Sequence, residues 1–588
     1  MKAECSDNQE KVVQIPIEDE RYRLTRLICT IVCVAFAMLE AWSQRQFINE
    51  DGISYLDMSD ALLRHNWHLL INPIWSPLYP LCIGVATWLT HPSAQWEVPI
   101  VHMVNLIIFL GALASFEFLL RQVIHVLGRG DARADTKSAA HIPLWAWQLL
   151  GYSLFAWSAF GMMWAPRMIT PDLCVAMFVY LDSGLLLRLR PGSNISRICL
   201  LLGLTLGLGY LAKAILFPMA FVFMGVAFLM IGEWRKAVLP VAVTFLLFCT
   251  ISAPLFIAMS VRVGRPSYSE AGNLNYAWHV NHVGGGKRAG GPFFLAASGP
   301  PPYLKHPLTL LHQGPEAFGF REPLAFTYPP RQDMEYWSAG TEAVFDLRNQ
   351  FRAVGENLFI IFTDPHIVPM SGLVLTGLIL LLTRPNGPAR WKETLRSWPL
   401  LIPGVVGPCL YMLISVEPRY IAPFFVLLLL GLIPGILFKD GARRITVSTT
   451  VVGASALVLT ALLVGYHLAG FPRGWENGGL WLHVGESLNS AGVRPGEEVA
   501  IIGDSSDACR WARMARVRIV AQMLREDVDV FWRTSDPRVK EEVYDAFATA
   551  GAKAVIAEAT PPSRAYADWQ KLGDTHYYVH FLALPKSK

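Results

Sequence analysis

Apolar runs of about twenty residues recur along most of this chain, each closed by a short polar turn, and they leave few folds open. A helix needs about 20 mostly apolar residues to cross a hydrocarbon core of about 30 Å. In lipid, a helix is the simplest way to satisfy every backbone N–H and C=O within one segment. The runs fall at about 27–43, 99–120, 143–163, 173–187, 198–212, 215–231, 238–260, 367–382, 398–415, 421–438 and 446–467. Among its 588 residues 53% are hydrophobic and 16% charged. That balance points to a polytopic membrane protein rather than a soluble enzyme.

The basic residues give an orientation. Arg21, Arg23 and Arg26 precede the first run, Arg121, Arg129, Arg133 and Lys137 follow the second, and Arg188, Arg190 and Arg197 follow the fourth. Arg235 and Lys236, then Arg384, Arg390, Lys392 and Arg396, then Lys439, Arg443 and Arg444, fill later short turns. All of these lie on one side if there are about eleven spans, with the N-terminus inside and the C-terminus outside. The count treats residues 78–90 as interfacial or re-entrant, because a span there would put the later basic clusters on the wrong side. It also folds 198–231 into a hairpin with its tip at 213–218, since one straight helix would reach about 50 Å. The acidic first 26 residues lack a signal-peptide pattern, so the first helix is expected to remain as an anchor.

Three segments are left outside: a first loop at 44–98, a long Gly-, Pro- and aromatic-rich loop at 261–357, and a tail at 468–588. A loop as long as the second one usually has a function of its own. The tail alternates short β-branched runs (498–503, 517–520, 554–557, 577–584) with helical stretches such as 536–550. That is the rhythm of a small α/β domain. Gly503-Asp504-Ser505-Ser506 reads as a helix cap rather than a phosphate turn, for it lacks the glycine spacing of a dinucleotide fingerprint. The fold class is therefore mainly α, about eleven transmembrane helices with interfacial helices in the first external loop, plus a small C-terminal α/β domain.

Some classes of function drop out. A net charge of +4 is too small to suggest a nucleic-acid partner. The nine cysteines form neither a CxxC pair nor a disulfide ladder. The histidines His65, His68, His102, His279 and His282 show no metal-ligand spacing, so a divalent metal is neither required nor ruled out.

Chemistry gathers on the outer face. The first loop carries the acid pair Glu50 and Asp51 close to hydrocarbon, with Asp57 and Asp60 on the amphipathic run that follows. Asp172 begins the fourth span, where a carboxylate complements the helix dipole. Outer turns are poor in base, yet Arg45, Arg64, Arg167, Lys213 and Arg419 sit in them. Several interfacial cations on one leaflet suit an anionic lipid phosphate. Snorkelling or headgroup pairing explains any one of them alone. Sugar transfer from a lipid phosphate needs a base for the acceptor hydroxyl and cations for the departing phosphate.

These residues resemble a family. Asp51 with Tyr55, then Trp75-Ser76-Pro77-Leu78-Tyr79-Pro80, looks like the first external loop of the C-type superfold of membrane glycosyltransferases, which includes protein mannosyltransferases and the aminoarabinose transferase of lipid A. The stretch Arg167 to Asp172, the Leu211-Ala212-Lys213 tip and Glu417-Pro418-Arg419-Tyr420 resemble the family's later turns. The resemblance covers about residues 27–438. It implies a polyprenyl-phosphate-linked sugar as donor, a glycan, lipid or protein as acceptor, and catalysis at the outer face of a bacterial inner membrane. It makes Asp51 the base, and Asp172 is read beside it as a second catalytic acid that orients the acceptor or a metal. Lys213, Arg419 and Arg167 would clamp the lipid phosphate, and Glu50, Tyr55, Arg64, Tyr79 and Tyr420 would line the substrate site. In many relatives Glu follows the loop acid directly, whereas here Gly52 follows Asp51 and Glu50 precedes it. The alternative reading is a transporter or flippase of a lipid-linked or anionic substrate, with charges at mid-membrane depth.

Overall fold

The computed structural model describes residues 20–127, 143–190, 192–282, 308–320, 326–329, 343–383, 387–436, 442–503, 505–523, 525–558 and 568–583. The N-terminal segment, the basic residues Arg129, Arg133, Lys137, Arg384 and Lys439, and Asp504 of the expected helix cap lie outside the described residues.

Helices follow the apolar runs closely. They are α1 (Glu20–Ser43), α2 (Glu50–Leu63), α3 (Trp67–Leu70), α4 (Leu78–Thr90), α5 (Ala94–Leu127), α6 (Leu144–Ala156), α7 (Asp172–Arg188), α8 (Ile195–Ala212), α9 (Leu216–Ile231), α10 (Trp234–Val263) and α11 (Ala271–His279). After the long loop come α12 (Leu347–Thr363), α13 (Val368–Thr383), α14 (Gly387–Arg396), α15 (Trp398–Met412), α16 (Pro418–Ile436) and α17 (Ala442–Ala491). Among the described residues five helices, α1, α5, α8, α10 and most of α16, are long and apolar enough to cross a membrane, and the pair α12 and α13, bent by 95°, makes a sixth if it is one broken span. The protein is an integral membrane protein on this evidence. Eleven spans are not established by length and apolarity alone.

Two local expectations can be set against these helices. Helix α4 has 13 residues, about 20 Å at 1.5 Å per residue, too short to cross. The run from 198 to 231 breaks at Lys213, which is extended at φ −159° and stops α8. Glycines on α8 let its neighbour approach: a Cβ on Gly207 would sit 2.7 Å from the Ile251 Cβ of α10.

The tail folds as read, around a sheet. β3 (Glu498–Ile502), β4 (Arg518–Met523), β5 (Ala554–Glu558) and β7 (Tyr577–Phe581) match the β-branched runs, with α18 (Ser505–Ala515), α19 (Arg525–Arg533) and α20 (Pro537–Thr549) between them and the short β6 (Gln570–Lys571) beside β7. Asp536 caps α20 by accepting from the Arg538 amide at 2.9 Å. Helix α17 runs unbroken past residue 468 and into this sheet's core, where Trp481 meets the Tyr577 ring.

One feature of the sheet was not expected. The long loop supplies a hairpin, β1 (Leu308–Gln313) and β2 (Glu316–Phe320), and the sheet runs β1-β2-β4-β3-β5-β7-β6. β2 pairs antiparallel with β4, while β4, β3 and β5 are parallel. The loop and the tail thus share one hydrogen-bonded sheet, which neither could show by its own pattern because the pairing spans about 200 residues.

Candidate active site

The site is built where the N-terminal end of α2 meets three turns: the 164–171 turn before α7, the α8–α9 break and the 413–417 turn before α16. At 3.6 residues per turn, Glu50 and Asp57 share one face of α2, and Asp51 and Tyr55 share another about 130° away. The two acids of the pair therefore part company. Asp51 Oδ2 accepts from Arg419 Nη2 at 3.2 Å, while Glu50 Oε1 accepts from Arg510 Nη2 of α18 at 3.4 Å.

Helix α2 is pinned at its start. The Asn49 side chain accepts from the Ile169 amide at 2.9 Å, tying α2 to the turn that carries Asp172. Gly52 completes the contact, for a Cβ there would lie 2.9 Å from the Ile169 Cβ. Gly52 after the loop acid is thus a packing requirement of this chain. The turn itself is held by Asn105 of α5, whose amide donates to Pro166 O at 2.8 Å and Met168 O at 3.0 Å. Tyr79 donates to Asn105 Oδ1 at 2.6 Å, so its hydroxyl supports this turn.

Asp172 is buried and fully engaged. It accepts from Lys213 Nζ at 2.5 Å and Thr170 Oγ1 at 2.8 Å, and Arg419 Nη1 lies 3.8 Å away. Asp51 is 25% exposed by side chain against 4% for Asp172, so of the two it is the carboxylate that reaches the opening. Arg419 bridges both acids, with Glu417 Oε2 at 4.0 Å from its Nε. Lys213 Nζ also lies 3.8 Å over the Tyr420 ring, and Tyr411 stacks on Tyr420 at 5.0 Å. The Tyr55 ring meets Trp75 and Tyr79 edge-on, both at 5.2 Å.

Two groups at the turns titrate away from their usual range. Burial draws the Lys213 ammonium below the ordinary lysine value, although Asp172 opposes it. Burial raises the Glu417 carboxyl, with Asp51 and Asp172 adding to the rise against Arg419. A cation that gives up its proton more easily and an acid that keeps it more easily are both signs of a shared, poorly hydrated site.

Asp51, Asp172, Lys213, Arg419, Tyr420 and Tyr55 are thus brought together, with Tyr79 behind them. Arg167 sits at the rim, its guanidinium 5.5 Å over the Phe47 ring. Arg64 is exposed just beyond the far end of α2, where it acts on Asp60. Sequence reasoning missed Tyr411, Thr170, Asn105 and Asn357. The last, on α12, donates to Met412 O at 3.0 Å and Ile414 O at 3.2 Å and accepts from the Val416 amide at 2.9 Å, shaping the turn before Arg419. Polar amides inside or at the end of apolar runs were the available signal. Of the histidines, His102 is buried with its ring nitrogens at 2.9 Å from Phe47 O and 3.3 Å from Pro166 O, so it braces the same turn. Among the described residues no group of three His, Cys, Asp or Glu could hold a metal ion.

No family profile matches the chain, and no curated protein sequence matches it significantly. Solved structures do match. ArnT from Cupriavidus metallidurans in the apo state aligns over 94% of this chain and 97% of its own, at 13% identity and a TM-score of 0.50. The same protein bound to undecaprenyl phosphate aligns over 95% and 99%, at 12% identity and a TM-score of 0.50. The chain shares the overall fold of these ArnT structures.

Proposed function

We propose that this protein is an integral-membrane glycosyltransferase that moves a sugar from a polyprenyl-phosphate donor to an acceptor at the outer face of a bacterial inner membrane. Its N-terminus would be cytoplasmic and its α/β domain external. The observation that carries the reading is Arg419 bridging Asp51 and Asp172 while Lys213 closes on Asp172. Two cations and two acids sit within one set of contacts at helix ends, where a lipid headgroup phosphate can enter. The ArnT structure with undecaprenyl phosphate supports a lipid-linked donor for this fold.

The mechanism follows from charge competition. With no phosphate in place, Arg419 and Lys213 satisfy the two carboxylates. An arriving phosphate draws on the same cations, which loosens Arg419 from Asp51 and frees the Asp51 carboxylate to accept a proton. The acceptor hydroxyl then attacks the anomeric carbon, its proton passes to Asp51, and the bond from that carbon to the phosphate oxygen breaks with inversion. Lys213 and Arg419 hold the charge that develops on the leaving phosphate. Asp172 keeps both cations in place.

Incubating the purified protein with radiolabelled polyprenyl-phosphate sugars and candidate acceptors tests the reading. Transfer should occur with wild type and vanish in Asp51→Asn at unchanged expression, and full activity in that variant removes the assignment. A transporter is the second reading, favoured by Asp182 of α7, a buried acid hydrogen-bonded by Thr205 of α8. Unchanged transfer in Asp182→Asn would separate that acid from the reaction.

A further inference from the structure

Arg513 of α18 is buried in a pocket of acids contributed by the membrane part of the chain. Its Nε and Nη2 donate to the two oxygens of Glu97 at 3.0 and 2.7 Å, and its Nη1 donates to Asp57 at 2.8 Å and Asp60 at 2.8 Å. Four of the five guanidinium donors are thus used on two elements, α2 and α5. Asp57 is shared once more: it accepts from the Thr327 amide at 3.0 Å and hydroxyl at 2.8 Å, and Thr327 O accepts from the Ile519 amide of β4. Three carboxylates therefore converge on Arg513, and Arg516, 3.4 Å from Glu97, assists.

We propose that Arg513 is a positioning residue for Asp51: through α18, the C-terminal sheet sets the tilt and rotation of α2. The inference rests on the glycosyltransferase reading of Asp51. Apolar side chains would hold α18 on α2 at least as tightly as a buried ion cluster does. What the planar fork adds is direction, because its hydrogen bonds are met at one orientation of α2 only. Asp57 is six residues from Asp51, about 9 Å along the helix. A tilt of about 6° pivoting there moves Asp51 by about 1 Å, and a misplacement of that size can cost about 100-fold in rate. Arg510, paired with Glu50 one residue before Asp51, fastens the same helix nearer its start.

The test is the transfer assay on the full-length protein, with the radiolabelled polyprenyl-phosphate sugar that wild type uses, comparing Arg513→Met and Arg513→Lys. Rates are taken per folded molecule. The expected result is a fall in kcat of about 10- to 100-fold in Arg513→Met, with donor KM within about 3-fold of wild type and partial recovery in Arg513→Lys. Wild-type kcat per folded molecule in Arg513→Met, with loss only in yield, overturns the proposal. If neither variant folds, Arg510→Gln and Asp60→Asn decide: each should lower kcat and leave KM alone, and wild-type kcat in both also overturns it. Asp51→Asn is run beside them. If that variant is active, the reading of the site has failed; if it is dead while Arg513→Met turns over normally, only the positioning role has.

Discussion

Arg419 Nη2 lies 3.2 Å from Asp51 Oδ2 across 368 residues of sequence, and the same guanidinium reaches Asp172 at 3.8 Å. One side chain thus couples the start of α2 to the start of α7. A planar fork can face two carboxylates, or one carboxylate and a phosphate, whereas an ammonium is a point charge.

Replacing Arg419 by Lys should therefore not be conservative. We expect donor KM to rise and kcat to fall, with kcat/KM down about 100-fold or more, in the range lost when a charge-stabilising donor is removed. Steady-state kinetics over a range of donor concentrations measures both. Wild-type kcat/KM in Arg419→Lys would refute the bridging role.

Lys213 predicts a pH dependence. Its pKa is held below the ordinary lysine value of 10.5 by burial, so it loses its charge sooner than a solvated lysine as pH rises. The groups around it are Asp172, Arg419, Asp51 and the Tyr420 ring. The value of kcat/KM for the donor reports the free enzyme, and should fall on the alkaline side with an apparent pKa below 10.5. The limb should shift to higher pH in Lys213→Arg, since Arg keeps its proton. An identical limb in that variant assigns the titration to another group.

Gly52→Ala separates helix propensity from packing. In an exposed helix the change stabilises by up to about 1 kcal/mol. Here the new Cβ would meet the Ile169 Cβ at 2.9 Å, so the expected sign reverses, to a loss of about 1–3 kcal/mol and reduced transfer. Thermal unfolding in detergent, read beside activity, checks it, and a rise in stability would contradict the contact.

Asn357→Ala removes three hydrogen bonds from the 412–416 turn. Leaving those backbone groups without partners costs about 1–3 kcal/mol, and the turn presents Glu417 and Arg419. Donor KM should rise, though Asn357 lies outside the cluster itself. Unchanged donor affinity measured by titration would show that the turn holds its shape without α12.

The apolar helices and the tail strands were readable because each depends on nearby residues: an apolar run makes a helix in lipid, and a β-branched run between polar turns makes a strand. Asp51, Asp172, Lys213 and Arg419 were readable as charges close to apolar runs, where each needs a reason. Arg513 and Arg510 were not, since α18 taken alone reads as a surface helix of a small α/β domain. The β1–β2 hairpin escaped for a similar reason, because its partner strand β4 lies about 200 residues downstream.

The acid pair shows where the division falls. Adjacent on one helix, Glu50 and Asp51 point about 100° apart, which lets each meet a different partner. Which one meets Arg419 and which meets Arg510 was decided only when α18 docked on one face of α2 and the turn before α16 on another. Helix periodicity is a property of neighbouring residues, whereas the partner of a charge depends on which distant surface packs against it.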